Sequence, residues 1–261
     1  MPTISVITPV FDGGDAYLSE TYESVAGQRL PAGWSLEWIV QEDGRTGKPL
    51  ARVPDEPWIS KGTGRAGGAA RTRTLALTRA TGVLTRSLDA DDLFPDPYVL
   101  ARDIEALGAH PDLAWTVAPC LDLHPDGSLT PGPYDPPPGR LSAGLLAEGL
   151  RQGALAVVGT MATYYTGLLL AVGGWPALPA LEDVGPLLAA EAVSDGWMQE
   201  KPGGIYRKHP RQSTASPEHR DEEEAAIRTK AVLDRAESMR TLGWRWRPSR
   251  PVTVETACKA L

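Results

Sequence analysis

Three carboxylates fall within four residues at Asp89-Ala90-Asp91-Asp92, directly after the apolar stretch at 82–88. Like charges this close are unfavourable unless a cation or hydrogen-bond donors offset them. Hard oxygen ligands suit Mg²⁺ or Mn²⁺, which keep coordination positions open for phosphate oxygens. The other reading of the same residues is a solvated turn in which Asp92, or Asp96 beyond it, caps the next helix; spacing alone leaves both open. Two more acids, Asp12 and Asp43, follow β-rich runs at 3–8 and 35–41. Singly each reads as a turn residue. In open α/β sheets, however, ligands bind beyond the carboxyl ends of the strands, so three acidic strand ends together point to one site.

The elements that must position these acids alternate in the pattern of βαβ units carrying a mostly parallel sheet. Strands are expected at 3–8, 35–41, 82–88 and 113–118, with a short candidate at 57–60. Helices are expected at 15–26, where Tyr17, Leu18, Tyr22 and Val25 share a face, and at 68–79. Asp96-Pro97 looks like an N-cap and first helical residue for a helix through 107. The second half changes character: a Pro-rich stretch at 131–138, a helix at 141–151 and an apolar run at 157–165. A charged helix over 218–242 is opened by Ser216-Pro217 and the glutamates at 222–224, which favour the positive end of its dipole. The segment Trp244-Arg245-Trp246-Arg247-Pro248 is expected to pack back as an irregular tail.

With 261 residues the chain can bury a substantial core, and Gly 27 and Pro 24 imply many turns. The formal net charge of −7 argues against a nucleic-acid partner, which would want a basic face. Cys120 and Cys258 lie far apart without metal-ligand spacing, so neither a zinc site nor a disulfide framework is indicated and a cytoplasmic setting fits. The start at Met1-Pro2-Thr3 leads straight into a strand pattern, without the features of a signal peptide. The apolar run at 160–175 is too short and too polar to span a bilayer, so no membrane span is expected.

Four segments carry a resemblance. Ser5-Val6-Ile7-Thr8-Pro9-Val10-Phe11-Asp12, then Glu37-Trp38-Ile39-Val40-Gln41-Glu42-Asp43-Gly44, then residues 67–82 with Ala70-Arg71, then Leu88-Asp89-Ala90-Asp91-Asp92 stand in the order and separations of family 2 of the glycosyltransferases. The chain resembles that family over about residues 3–120. The resemblance implies an α/β GT-A (Rossmann-like) fold, a mostly parallel central sheet flanked by helices, with a C-terminal helical tail. Residues 1–120 would be the nucleotide-sugar half, 121–215 the acceptor and catalytic-base half, and 216–261 the tail.

The same resemblance implies site roles. Thr8, Pro9, Val10, Phe11, Asp12, Asp43, Arg71, Asp89, Ala90 and Asp91 would bind the nucleoside diphosphate sugar. Phe11 would lie against the base, Asp43 would accept from it, and Arg71 would sit near the diphosphate. Asp89 would hold the ribose or a metal-bound water, and Asp91 would be the principal ligand of Mn²⁺ or Mg²⁺. His209, in Tyr206-Arg207-Lys208-His209, would be a further metal ligand. The family's catalytic base commonly follows a Gly-Gly-aromatic turn. Here Val172-Gly173-Gly174-Trp175 precedes Glu182-Asp183, so Asp183 is the first choice for base and Glu182 the second, with Trp175 toward the acceptor. Each has a plainer alternative: Arg71 is one of several arginines between 65 and 79, the two acids suit a helix amino terminus, and an aromatic beside a Gly-Gly turn is often core.

Departures from the family pattern include Asp12 where Asn is common, Gln41-Glu42 in place of the usual pair, and Thr72 and Thr74 where Asn and Gly are typical. The Gln-x-x-Arg-Trp signature of processive synthases is absent. The expectation is therefore an inverting, metal-dependent, single transfer, with UDP the favoured carrier and a hydroxyl of a soluble small molecule or glycan as acceptor. A homodimer is compatible with this reading. The alternatives are a sugar nucleotidyltransferase, suggested by Gly62-Thr63-Gly64-Arg65 but with that run far from the first strand, and a non-catalytic nucleotide-sugar binder.

Overall fold

Thr3, Ile4, Val6, Ile7, Thr8 and Val10 are β-branched, and their run is buried continuously rather than alternately. That is how a strand flanked by others and covered on both faces reads in sequence. It is the first element of a computed structural model that describes residues 1–132, 135–210, 212 and 221–254. In chain order the elements are β1 (Thr3–Val10), α1 (Leu18–Ala26), β2 (Ser35–Glu42), β3 (Ile59–Gly62), α2 (Gly68–Leu77), β4 (Leu84–Ser87) and α3 (Val99–Ala109). They continue as β5 (Leu113–Val117), β6 (Cys120–Leu123), β7 (Leu129–Pro131), β8 (Gly139–Leu141), α4 (Leu145–Arg151), β9 (Ala162–Tyr165), α5 (Thr166–Ala171), α6 (Val184–Val193), β10 (Asp195–Met198), β11 (Gly204–Arg207) and α7 (Glu222–Thr241).

The main sheet has the order β3-β2-β1-β4-β9-β5-β10-β8. Strands β3, β2, β1 and β4 are mutually parallel. Strand β9 enters antiparallel between β4 and β5, and β10 then runs parallel to β5. A small sheet, β11-β6-β7, joins the segment after β4 through a bridge between Leu93 and Ile205. The carboxyl ends of β1, β2 and β4 therefore open on one edge, where the acidic strand ends gather. None of the described helices is long and apolar enough to cross a membrane.

Several boundaries move for local reasons. The first helix begins at Leu18, because Asp15 forms an ion pair with Arg52 instead of entering the helix. The short strand expected at 57–60 is Ile59–Gly62, where it pairs with Trp38 to Gln41. Asp96 is not the N-cap of α3. Its Oδ1 accepts from the Tyr98 amide at 2.8 Å and its carboxylate pairs with Arg102 at 2.9 Å, so it closes the turn before the helix. Residues 139–141, expected partly as helix, pair instead as an edge strand with β10, and α4 starts after Gly144, whose φ of 84° suits glycine. Ser216-Pro217 and Cys258 lie outside the described residues. Helix α7 opens at Asp221, whose carboxylate accepts from the Glu224 amide at 2.8 Å. The tail does pack back: the Trp246 amide donates to the Val193 carbonyl at 2.8 Å, and the Val252 amide to the Tyr165 hydroxyl at 2.9 Å.

The join between the parallel strands and the β9–β5 pair is held by a buried ionic network. The fully buried Arg86 on β4 donates to Asp103 on α3 at 3.0 Å and to the Gly203 carbonyl at 2.7 Å. Asp103 also accepts from Thr163 at 2.6 Å, Thr116 at 2.9 Å and Gln199 at 3.0 Å. Removing one charge would leave the other buried without compensation. Asp103→Ala should lower unfolding free energy by about 3–5 kcal/mol, read as a lower urea midpoint with an unchanged slope.

Candidate active site

The loop after β4 is a tight turn, with the Asp92 amide donating to the Asp89 carbonyl at 3.1 Å. Thr21 of α1, fully buried, lies 3.0 Å from both the Ala90 and Asp92 carbonyls and donates to them. The turn sends its three carboxylates in different directions. Asp92 turns inward, accepting from the Arg207 amide at 3.1 Å, and its other oxygen has no hydrogen-bond partner among the described residues. Burial, then Asp89 and Asp91, push its carboxyl well above the usual range, which favours the neutral form. Asp92 thus neither faces the cleft nor caps α3; it ties the turn to β11.

Asp89 meets the residue that organises the site. Arg73 of α2, with a side chain only 3% exposed, donates to Asp89 at 2.6 Å and to Glu182 at 2.7 Å. Burial opposes its charge, but Asp89, Glu182 and Asp183 outweigh burial and hold the guanidinium ionised. Arg71, expected near the diphosphate, is two residues away and so on the opposite side of the helix. It donates to the Arg65 carbonyl and packs its side chain over Gly67. The arginine that lines the cleft is Arg73. Helical phase carried the signal: position 73 shares a face with the buried Ala70 and Leu77, at i−3 and i+4, and position 71 does not.

Asp91 projects into the cleft beside His209, the two separated by 2.8 Å between Oδ2 and Nε2. The His209 ring lies 5.4 Å from Tyr17, and the Arg207 guanidinium sits 4.1 Å above the same Tyr17 ring. Burial and Asp89 raise the Asp91 carboxyl. An imidazole nitrogen and a carboxylate oxygen side by side, with the carboxylate undercompensated, fit two ligands of one divalent cation. Among the described residues no three of His, Cys, Asp and Glu cluster closely enough to enclose a metal by themselves. A cation here would need oxygens from a bound ligand as well.

Asp183 is the N-cap of α6, its Oδ1 accepting from the Val184 amide at 3.0 Å. It is also partly buried beside Glu182. Burial and Glu182 raise its pKa to about 7, with Arg73 opposing the rise. The helix-cap reading and the proton-acceptor reading therefore describe the same side chain. The segment entering it is strained, since Leu181 has φ 60°, a left-handed conformation unfavourable for leucine. Gly159 packs so tightly here that an added Cβ would lie 2.7 Å from Asp183 Oδ2.

These groups line one cleft of about 770 Å³. Pro9, Val10, Phe11, Asp43, Asp89, Ala90, Asp91, Glu182, Asp183 and His209 all border it. Phe11 is 54% exposed and folds over Gly14, where any side chain would collide with its ring, so one face stays free for a planar ligand. Asp43 caps α2 from outside, accepting from the Gly67 and Gly68 amides at 2.7 and 3.0 Å. Four expected site residues lie elsewhere. Thr8 is buried in the sheet and accepts from the Trp38 indole at 2.9 Å. Asp12 pairs with Lys48 at 2.9 Å outside the cleft. Arg71 braces the 65–67 loop, and Trp175 is a buried core residue rather than part of the cleft surface. Tyr17, Tyr206, Gln212, Asp135 and Cys120 also line it, and of these Tyr17, Gln212 and Cys120 had not been singled out from sequence as cleft residues.

No protein-family model matches the chain. The O-antigen biosynthesis protein RfbC of Myxococcus xanthus is 33% identical over 119 residues, which is 43% of this chain and 9% of that protein. The chain therefore spans under a tenth of the length of this curated relative. Among solved structures, S. aureus TarS 1-349 in complex with UDP-GlcNAc superposes with a TM-score of 0.68 at 19% identity, covering 94% of this chain and 74% of that one. The corresponding complex with UDP gives 0.66 at 17%, covering 90% and 65%. The chain has the GT-A fold expected from the resemblance to family 2 glycosyltransferases.

Because Arg73 is the cation opposing the rise at Asp183, Arg73→Gln should move the Asp183 titration above about 7. A carboxyl-resolved NMR titration of the two proteins, each checked for a native circular dichroism spectrum, reads the shift.

Proposed function

We propose that the chain is an inverting glycosyltransferase that moves a sugar from a nucleoside diphosphate carrier, with UDP favoured, to the hydroxyl of a soluble acceptor. One observation carries this reading. A single cleft joins an exposed aromatic face and an acid at the first two strand ends to an ionisable carboxylate on its far wall, with Arg73, Asp91 and His209 between them. The UDP and UDP-GlcNAc complexes of the TarS fold neighbour support it.

In this reading the base lies on Phe11 and beside Asp43, and the diphosphate faces the Asp89–Asp91 turn. Asp91 and His209 would hold Mn²⁺ or Mg²⁺, which when bound supplies positive charge for the leaving diphosphate. Arg73 fixes Asp89 on the donor side relative to Glu182 on the acceptor side. Asp183 receives the proton as the acceptor oxygen bonds to the anomeric carbon and the bond to the diphosphate breaks. A carboxyl titrating at about 7 is a stronger base when ionised than an ordinary aspartate, and its task needs that ionised form. In this reading residues 1–120 form the donor half and 121–215 the acceptor half, with segments 153–160 and 179–184 as the acceptor wall.

The nucleotidyltransferase alternative is less well supported. Gly62 and Gly64 pack against Arg79, Gln41 and Leu75, and the Gly64 amide donates to the Gly44 carbonyl at 2.8 Å, so this run is used in bracing the β3 end. Asp183→Asn should reduce transfer about 10²- to 10⁴-fold while UDP affinity stays unchanged. In the parent protein kcat/KM should rise with pH through about 7 as Asp183 ionises. Full turnover in the variant would favour the non-catalytic binder. For the cation, UDP affinity measured by calorimetry should increase with Mn²⁺, and Asp91→Asn should remove most of that increase.

A further inference from the structure

The wall beside Asp183 has a chemistry distinct from the rest of the cleft. Residues 153–160 and 179–184 both line it, and they meet at the proposed base, where a methyl on Gly159 would lie 2.6 Å from the Asp183 carbonyl carbon. Apart from Thr160, Glu182 and Asp183, the side chains they present, among them Leu155, Val158 and Leu181, carry no donor or acceptor. Thr160 is itself only 5% exposed. Leu155, Ala156, Val158 and Leu181 pack on the main core, and the Ala154 amide donates to the Gly149 carbonyl of α4 at 2.8 Å. The wall is thus braced from behind.

A sugar ring pressed on the Leu155–Val158–Leu181 side chains would lose hydration from its hydroxyls without gaining side-chain partners from those three residues. An aliphatic or aryl surface would gain from leaving water. An anionic acceptor would meet Glu182 and Asp183, with Arg73 already shared between Asp89 and Glu182. We propose that the acceptor is a neutral alcohol or phenol with an apolar body, seated on the Leu155–Val158–Leu181 wall with its hydroxyl at Asp183. This rests on the transferase reading above. The hydroxyl proton passes to the Asp183 carboxylate and the acceptor oxygen bonds to the anomeric carbon. The bond from that carbon to the diphosphate breaks, its electron pair leaving with the nucleoside diphosphate.

Two arms test it on the full chain. In the first, UDP release from a panel of UDP-hexoses with Mn²⁺ is measured against butanol, hexanol and octanol, with glucose and maltose as polar comparators. The KM should fall about fourfold per added methylene, and the double variant Leu155→Ser, Val158→Ser should raise the octanol KM at least tenfold with UDP affinity unchanged. In the second, octanol should displace Nile red from the parent protein and not from Leu155→Asp, Val158→Asp. A KM independent of chain length, saturation by glucose or maltose below octanol, or no displacement of the dye would overturn the proposal. Dye displacement without any UDP binding would instead sink the transferase reading and leave the apolar site standing.

Discussion

A buried guanidinium must have its charge met, and in this protein the two carboxylates that meet it come from segments far apart in the chain. Arg73 reaches Asp89 at the end of β4 and Glu182 at the entrance to α6. Neither contact can be given up cheaply, because a lone buried charge is strongly destabilising. The pair of contacts therefore fixes the acidic turn relative to Glu182 and its neighbour Asp183. Asp183 inherits its raised pKa from the same arrangement, since burial and Glu182 act on it while Arg73 limits the effect.

The three-aspartate turn illustrates how one sequence feature is divided by its surroundings. Asp89 is neutralised by Arg73, Asp91 sits against His209, and Asp92 is buried and turned to the Arg207 amide. Only the first two face the cleft. The repulsion that made the cluster noteworthy is relieved by distributing it over an arginine, an imidazole and a backbone amide. Thr21, donating to the carbonyls on either side of Asp91, holds the turn so that this division is maintained. The result is a turn that presents Asp89 and Asp91 to the cleft, the first met by an arginine and the second by an imidazole.

Much of the fold was legible because its signals are local. The β-rich Thr3–Val10 and Ser35–Glu42 runs, the alternation with helices and the acids closing the strands all depend on neighbours in sequence, and the elements of the first half lie where expected to within a few residues, whereas β6, β7, β10, β11 and α5 were not read from the pattern. Ends moved where a long-range contact competed, as when Arg52 took Asp15 out of the first helix. Tertiary packing likewise assigned Trp175 to the core and Thr8 to the Trp38 indole, since polarity and aromaticity say nothing about which face a residue will show.

By itself the sequence determined the class of fold and the edge of the sheet at which the acids gather, because strand ends and their order along the chain are properties of the pattern. Only the tertiary structure decided which arginine lines the cleft, which aspartates face it, and what surface lies beside Asp183. Those outcomes turn on helical phase, burial and the meeting of segments as far apart as Gly159 and Asp183 or Asp91 and His209. Such juxtapositions are created by packing, and no local pattern encodes them.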